Sequence, residues 1–258
     1  MVRAIAEDEM MTGSDLKIAL DRAALFFDID GTLLDLAPTP DRVLVPPGLP
    51  DMLEGLFAST GGATAFVTGR AIAAVDLLFA PLKLPAVGGH GAEFRLAPDA
   101  AVESAAPLPE GLRRGLKALE MIAPGILVED KVSTLSIHYR LVPEAGPLLR
   151  RALDEHRPQL NQAGLQMLVG KEIIEIKPRL FNKGTGLLRM LRSEPFQGRT
   201  PVFFGDDTTD EDAFRVLPEL GGIGISVGRR IEGATFMFET PTRLREFLSG
   251  FARANGSG

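Results

Sequence analysis

Three short apolar runs, each broken off by polar residues, constrain this chain more than any other feature. Residues 23–27 lead into Asp28, Asp30, Gly31 and Thr32. Residues 63–67 lead into Thr68-Gly69-Arg70, and 201–204 into Gly205-Asp206-Asp207. Continuous apolar runs of this length read as strands buried on both faces of a parallel sheet. Open α/β sheets place their sites beyond the carboxyl ends of such strands. Helical patterns at 49–58, 71–79, 185–192, 210–217 and 241–252 supply covering layers. Residues 1–20 show no strong pattern and read as a lead-in.

The middle of the chain behaves differently. Helix-like 108–123 precedes strand-like 126–130 and 134–140; helix-like 144–156 precedes strand-like 165–169 and 172–176. That order predicts a small α+β unit with an antiparallel sheet. Thr68 and Lys183 are 115 positions apart (183 − 68), whereas one βαβ unit takes about 30 residues. The surplus predicts an inserted domain. Only 35 residues separate Thr32 from Thr68, too few for a second one. We place the core at residues 1–96 and 179–258 and the insertion at 97–178.

The strand ends carry the chemistry. A carboxylate such as Asp28 can attack a phosphoryl group, and a second one, Asp30, can protonate the leaving oxygen and then activate water. Gly31 permits a tight turn that brings backbone N–H groups near a phosphate. Alone, the same run also reads as a turn or a calcium-loop fragment. Thr68 reads either as a helix N-cap or as a phosphate-binding hydroxyl. Lys183 reads as a surface lysine or as the cation that neutralises the phosphoryl charge. Residues 206–212 hold five acids in seven positions. They suit an acidic helix start. Yet Asp206 and Asp207 at a buried strand end would repel each other, and a cation relieves that repulsion. Oxygen ligands of this kind suit Mg²⁺.

Together, DIDGT (28–32), TGR (68–70), NKG (182–184) and GDDTTD (205–210) closely resemble the four motifs of the haloacid dehalogenase-like phosphatases, over roughly residues 23–96 and 179–250. The resemblance implies a Rossmann-like core with a parallel sheet and an inserted α+β cap of the C2 type. It implies Asp28 as nucleophile, Asp30 as general acid/base, and Thr68 and Lys183 as phosphate-binding groups. Mg²⁺ would sit on Asp28, the backbone carbonyl of Asp30, and Asp206. Asp207 and Asp210 would be supporting ligands or partners of Lys183.

Further segments, GHGAE (89–93), EDK (129–131), HYR (138–140) and GKEIIEIKP (170–178), resemble the trehalose-6-phosphate phosphatase family. Lys177-Pro178 departs from the Arg-Pro associated with many of its members. The resemblance implies that Glu129, Lys131 and Glu175 bind sugar hydroxyls, with His138 and Arg140 contributing and Arg70 and His90 also at the substrate. His90 reads equally as a buried structural histidine. Alternation gives Leu135, Ile137 and Tyr139 one face and Ser136, His138 and Arg140 the other. A polar sheet face suits a ligand made of hydroxyls, and it also suits plain solvent. The expected reaction is Mg²⁺-dependent hydrolysis of trehalose 6-phosphate through an aspartyl-phosphate, with a functional link to a trehalose-6-phosphate synthase. The rivals are phosphatases of sucrose 6-phosphate or a mannosyl-glycerate phosphate, and a non-catalytic sugar-phosphate sensor. Intact Asp28, Asp30, Lys183 and Asp206 disfavour the sensor.

Composition removes other classes. With 28 basic and 34 acidic side chains the net charge is −6, which disfavours nucleic acid and anionic membranes as partners. No cysteine is present, so disulfides and thiolate metal sites are out. The longest uncharged stretch, residues 55–69, is shorter than the roughly 18 apolar residues a membrane span needs. Glu7, Asp8 and Glu9 stand where a signal peptide would be apolar. A cytoplasmic location is the expectation.

Overall fold

Residues 11–12, 18–37, 42–170 and 172–255 are described by the structure, a computed structural model. Most of the 1–20 lead-in, and Lys171 of the 170–178 segment, lie outside the described residues. The chain divides into two compact units, residues 1–102 with 182–258, and residues 103–181.

In chain order, the first part carries β1 (Met11–Thr12), β2 (Ala23–Phe27), α1 (Leu49–Ser59), β3 (Thr64–Val67), α2 (Ile72–Leu78), β4 (Ala86–Gly88) and β5 (Glu93–Arg95). The inserted part carries β6 (Glu103–Ser104), α3 (Glu110–Lys117), β7 (Leu127–Asp130), β8 (Leu135–His138), α4 (Gly146–Gln162), β9 (Leu165–Val169) and β10 (Ile173–Pro178). The chain then returns with α5 (Lys183–Met190), β11 (Thr200–Gly205), α6 (Glu211–Val216), β12 (Ile223–Val227), β13 (Phe236–Phe238) and α7 (Pro241–Asn255).

In the first unit the sheet runs β1-β13-β12-β11-β2-β3-β4-β5. It is parallel except for the β4–β5 pair. The central strand shows why. Leu25 and Phe27 of β2 join one apolar cluster with Leu53 of α1, Val75 of α2 and Leu244 of α7. Ala24 and Phe26 join another with Leu187 of α5 and Phe214 of α6. Both faces of β2 are therefore covered, as its unbroken apolar sequence requires. Each such Phe or Leu contributes about 1.5–3 kcal/mol on burial. Phe27 also stacks on Phe204 of the neighbouring β11, with ring centroids 4.5 Å apart.

The strands β12 and β13 carry no strand signal that the sequence analysis used. Gly224 lies within β12, and a Cβ there would run into the Gly233 carbonyl, so the glycine marks a close backbone approach. Within the lead-in, Met11–Thr12 pairs in parallel with β13.

The second unit is a four-stranded antiparallel sheet, β7-β8-β10-β9. Leu135, Ile137, Ile174 and Ile176 pack with Leu112 and Leu116 of α3 and with Leu149, Leu153 and Leu160 of α4. The expected helix over 144–156 runs on through Pro158 to Gln162, and that extension buries Leu160. Strand β8 ends at His138, so the alternation does not reach Arg140. Among the described residues, no helix is long and apolar enough to cross a membrane.

Candidate active site

Asp28 follows β2 directly, its N–H bonded to the Phe204 carbonyl at 2.9 Å. The loop turns back through Gly31, whose φ of +82° favours glycine; a Cβ there would also collide with the Asp206 carboxylate. This close approach brings the first and fourth motifs together. Thr32 Oγ1 donates to Asp206 Oδ1 at 3.0 Å and lies 3.5 Å from Asp28 Oδ2.

Lys183 opens α5, after the N-cap Asn182, whose side chain accepts from the Thr185 N–H. Its Nζ sits 2.8 Å from Asp28 Oδ1 and 2.6 Å from Asp210 Oδ1. The other oxygen of Asp210 accepts the N–H groups of Asp206 and Asp207, both at 3.0 Å. Asp210 thus supports the fourth loop and pairs Lys183. Asp207 is instead exposed, near Thr208 and Arg229.

One carboxylate oxygen each from Asp28, Asp206 and Asp210 lie within 4.8 Å of one another. Burial pushes the Asp28 carboxyl well up, against the pull of Lys183. Burial and the charge of Asp210 push Asp206 up to about 6. Burial also opposes the Lys183 charge, but Asp210 and Asp28 outweigh it and raise its pKa. Three acids and one ammonium leave a deficit of positive charge in a largely buried place. This is an all-oxygen donor set of the kind a hard divalent cation takes.

The second motif loop is held by the 89–93 segment. The Thr68 carbonyl accepts from the His90 N–H at 3.0 Å, and the Arg70 carbonyl from the Gly89 N–H at 2.9 Å. His90 takes φ +53°, and its ring lies where a Cβ on Gly69 would be. Glu93 accepts from the Ile72 N–H at 2.6 Å and so caps α2, whose own N-cap, Ala71, has no side-chain oxygen. Thr68 is buried, with its Oγ1 accepting from the Arg70 N–H at 3.2 Å. Arg70 grips Asp30 as a fork, Nε to Oδ2 at 2.6 Å and Nη2 to Oδ1 at 2.7 Å.

In the second unit, Glu129, Ser136 and Glu175 form one row across β7, β8 and β10. Ser136 Oγ lies 3.5 Å from Glu175 Oε1. His138 Nε2 and Lys131 Nζ approach Glu129 Oε2 at 3.4 and 3.3 Å. The His138 contact, against the effect of burial and with help from Lys131, holds the Glu129 carboxyl below its usual range. Arg140 pairs with Glu172 at 3.4 Å, beyond the end of β8. Thr32 and Arg229 carried no role in the sequence analysis. Thr32 stood inside the first motif; Arg229 had no signal at all.

A family model described as trehalose-phosphatase matches residues 26–235. The chain belongs to the trehalose-phosphatase family. Trehalose-phosphatases are phosphomonoester hydrolases. A protein of Sinorhizobium fredii described as a probable trehalose-phosphate phosphatase is 40% identical over 258 residues, covering 98% of this chain and 95% of its own length. The trehalose-6-phosphate phosphatase of Escherichia coli is 37% identical over 210 residues, covering 80% and 77%. Among solved structures, the C-terminal domain of C. albicans trehalose-6-phosphate phosphatase covers 90% of this chain and 92% of its own, with a TM-score of 0.76 at 22% identity. That likeness concerns the fold. The α/β architecture is the haloacid dehalogenase-like one of the trehalose-phosphatases.

Proposed function

We propose that this protein hydrolyses trehalose 6-phosphate to trehalose and phosphate through an aspartyl-phosphate on Asp28. The observation that carries the reading is the Asp28–Lys183–Asp210 bridge at the strand ends, with Asp206 beside it. Family membership supports the substrate class.

Asp28 attacks phosphorus while the bond to the sugar 6-oxygen breaks. Lys183 holds one Asp28 oxygen and leaves the other for attack. Lys183 and Thr68 then stabilise the phosphoryl oxygens. Asp30, after parting from Arg70 and taking up a proton from solvent, gives that proton to the leaving sugar oxygen. It next takes a proton from the water that attacks the acyl phosphate, releasing phosphate and restoring the Asp28 carboxylate. Asp28, Asp206 and the Asp30 carbonyl would hold Mg²⁺, which would supply positive charge to offset that of the phosphoryl group. Asp207 supports the metal loop. Glu129, Lys131, His138 and Glu175 are assigned to sugar hydroxyls, with Arg70 and His90 also serving the substrate. A cytoplasmic location and supply of substrate by a synthase accompany this reading.

The test is phosphate release, with and without Mg²⁺, from trehalose 6-phosphate, sucrose 6-phosphate, glucose 6-phosphate and a mannosyl-glycerate phosphate. The expected result is a Mg²⁺-dependent preference for trehalose 6-phosphate that Asp28→Asn abolishes without loss of fold. Preference for another ester would replace the substrate; turnover retained by Asp28→Asn would remove the nucleophile.

A further inference from the structure

Arg229 lies outside the four motifs, in the turn after β12. Gly228 there takes φ +76°, and a Cβ on it would meet nothing within 4 Å. The glycine therefore serves the turn rather than space. Strand β12 is the neighbour of β11, with Gly205 opposite Ser226. The turn returns Arg229 to the fourth motif. Its Nε donates to the Asp206 carbonyl at 3.0 Å, and its Nη2 lies 3.5 Å from Asp207 Oδ1.

The same residue, Asp206, is held from two other directions. Its N–H donates to Asp210 at 3.0 Å, and its carboxylate accepts from Thr32 at 3.0 Å. Lys183 bonds the other two acids of the cluster. We propose that Arg229 is a positioning residue for divalent-metal binding: its Nε–H fixes the peptide plane of Asp206 and so aims that carboxylate at the ion. The inference rests on the proposed role of Asp206 as a metal ligand.

The guanidinium has two effects of opposite sign. A fixed carbonyl pre-organises the ligand, and outer partners of metal ligands are typically worth 10–100-fold in affinity. The positive charge repels the ion, but Arg229 is about half exposed and is paired with Asp207, so solvent and that partner screen it. The positioning effect wins.

Substitution separates the two effects. Glutamine carries an N–H donor at the same position along the side chain as Arg Nε but no charge; lysine keeps the charge and lacks that donor. The experiment is a Mn²⁺ titration of the metal-free full chain, followed by the electron paramagnetic resonance signal of free Mn²⁺. Thermal unfolding of each metal-free variant checks the fold. Arg229→Ala and Arg229→Lys are expected to bind Mn²⁺ about tenfold more weakly, and Arg229→Gln within about threefold of the parent. Equal binding by all variants overturns the inference alone. So does loss in Arg229→Gln equal to that in Arg229→Ala, or parental binding by Arg229→Lys. No Mn²⁺ binding by the parent chain overturns the metal reading and this inference with it.

Discussion

Lys183 is buried with its ammonium between two carboxylates, and among the described residues its removal leaves Asp28, Asp210 and the nearby Asp206 with no buried cation in direct contact. Breaking such a buried pair costs about 3–5 kcal/mol. Lys183→Ala is therefore expected to abolish phosphate release and to lower the unfolding temperature, read by calorimetry of the metal-free protein. A stability unchanged from the parent would show that the bridge carries no load. Residue identity was the most legible level of this molecule. The resemblance to the four phosphatase motifs picked out Asp28, Lys183, Asp206, Asp207 and Asp210, and the fold brings all but the exposed Asp207 together. The Arg70 fork on Asp30 was not legible, because no spacing rule says which acid an arginine will meet. Arg229 escaped because its shorter contact is to a main-chain carbonyl, which leaves no mark in the sequence.

Among the elements, β7 divides its side chains between the two faces of the second unit's sheet. Glu129 lies in the polar row, while Asp130 turns toward α3 and meets Arg113 at 2.6 Å and Lys117 at 2.8 Å. Burial raises the Asp130 carboxyl, but Lys117, Arg113 and the Val132 N–H outweigh it and bring it down to about 2. An unfolded Asp titrates near 3.9. A carboxyl depressed on folding stabilises the fold above its unfolded value and loses that contribution as pH falls. The contribution of Asp130 is thus present above about pH 4 and disappears toward pH 2. Asp130→Asn should lower the unfolding temperature at pH 7 and flatten its fall between pH 4 and pH 2; an unchanged slope would refute the assignment. The row on the opposite face makes a kinetic claim. Glu175→Ala should raise KM for trehalose 6-phosphate at least tenfold and leave KM for p-nitrophenyl phosphate within about twofold. Equal shifts for both esters would take Glu175 out of sugar recognition. Short, mainly apolar runs were legible: β2 and β9 fall on the expected residues. Those whose signal was masked were not. Gly224 interrupts the apolar residues of β12, and the last part of α4 runs past Pro158, beyond the expected end at residue 156.

For the molecule as a whole, the apolar runs sufficed for the fold class because a strand covered on both faces has few sequences open to it. The flanking strands β1, β5 and β13 are only two or three residues long, and short strands leave little pattern to read. The central pairings are also long-range. Strand β2 lies between β3 and β11, and the second of these arrives only after the inserted unit. The contacts of the candidate site inherit that order. Lys183 stands 155 positions from Asp28, and Asp206 stands 174 from Thr32. Contacts of such separation form only after large loops have closed. A ribosome therefore delivers Asp28, the proposed nucleophile, early and its counter-charge Lys183 late. A nascent chain that has emerged only as far as the inserted unit has an aspartate and nothing to make it reactive. On the proposed mechanism, phosphatase chemistry waits until Lys183 and the end of β11 have reached β2, which makes activity a report on completed folding rather than on synthesis.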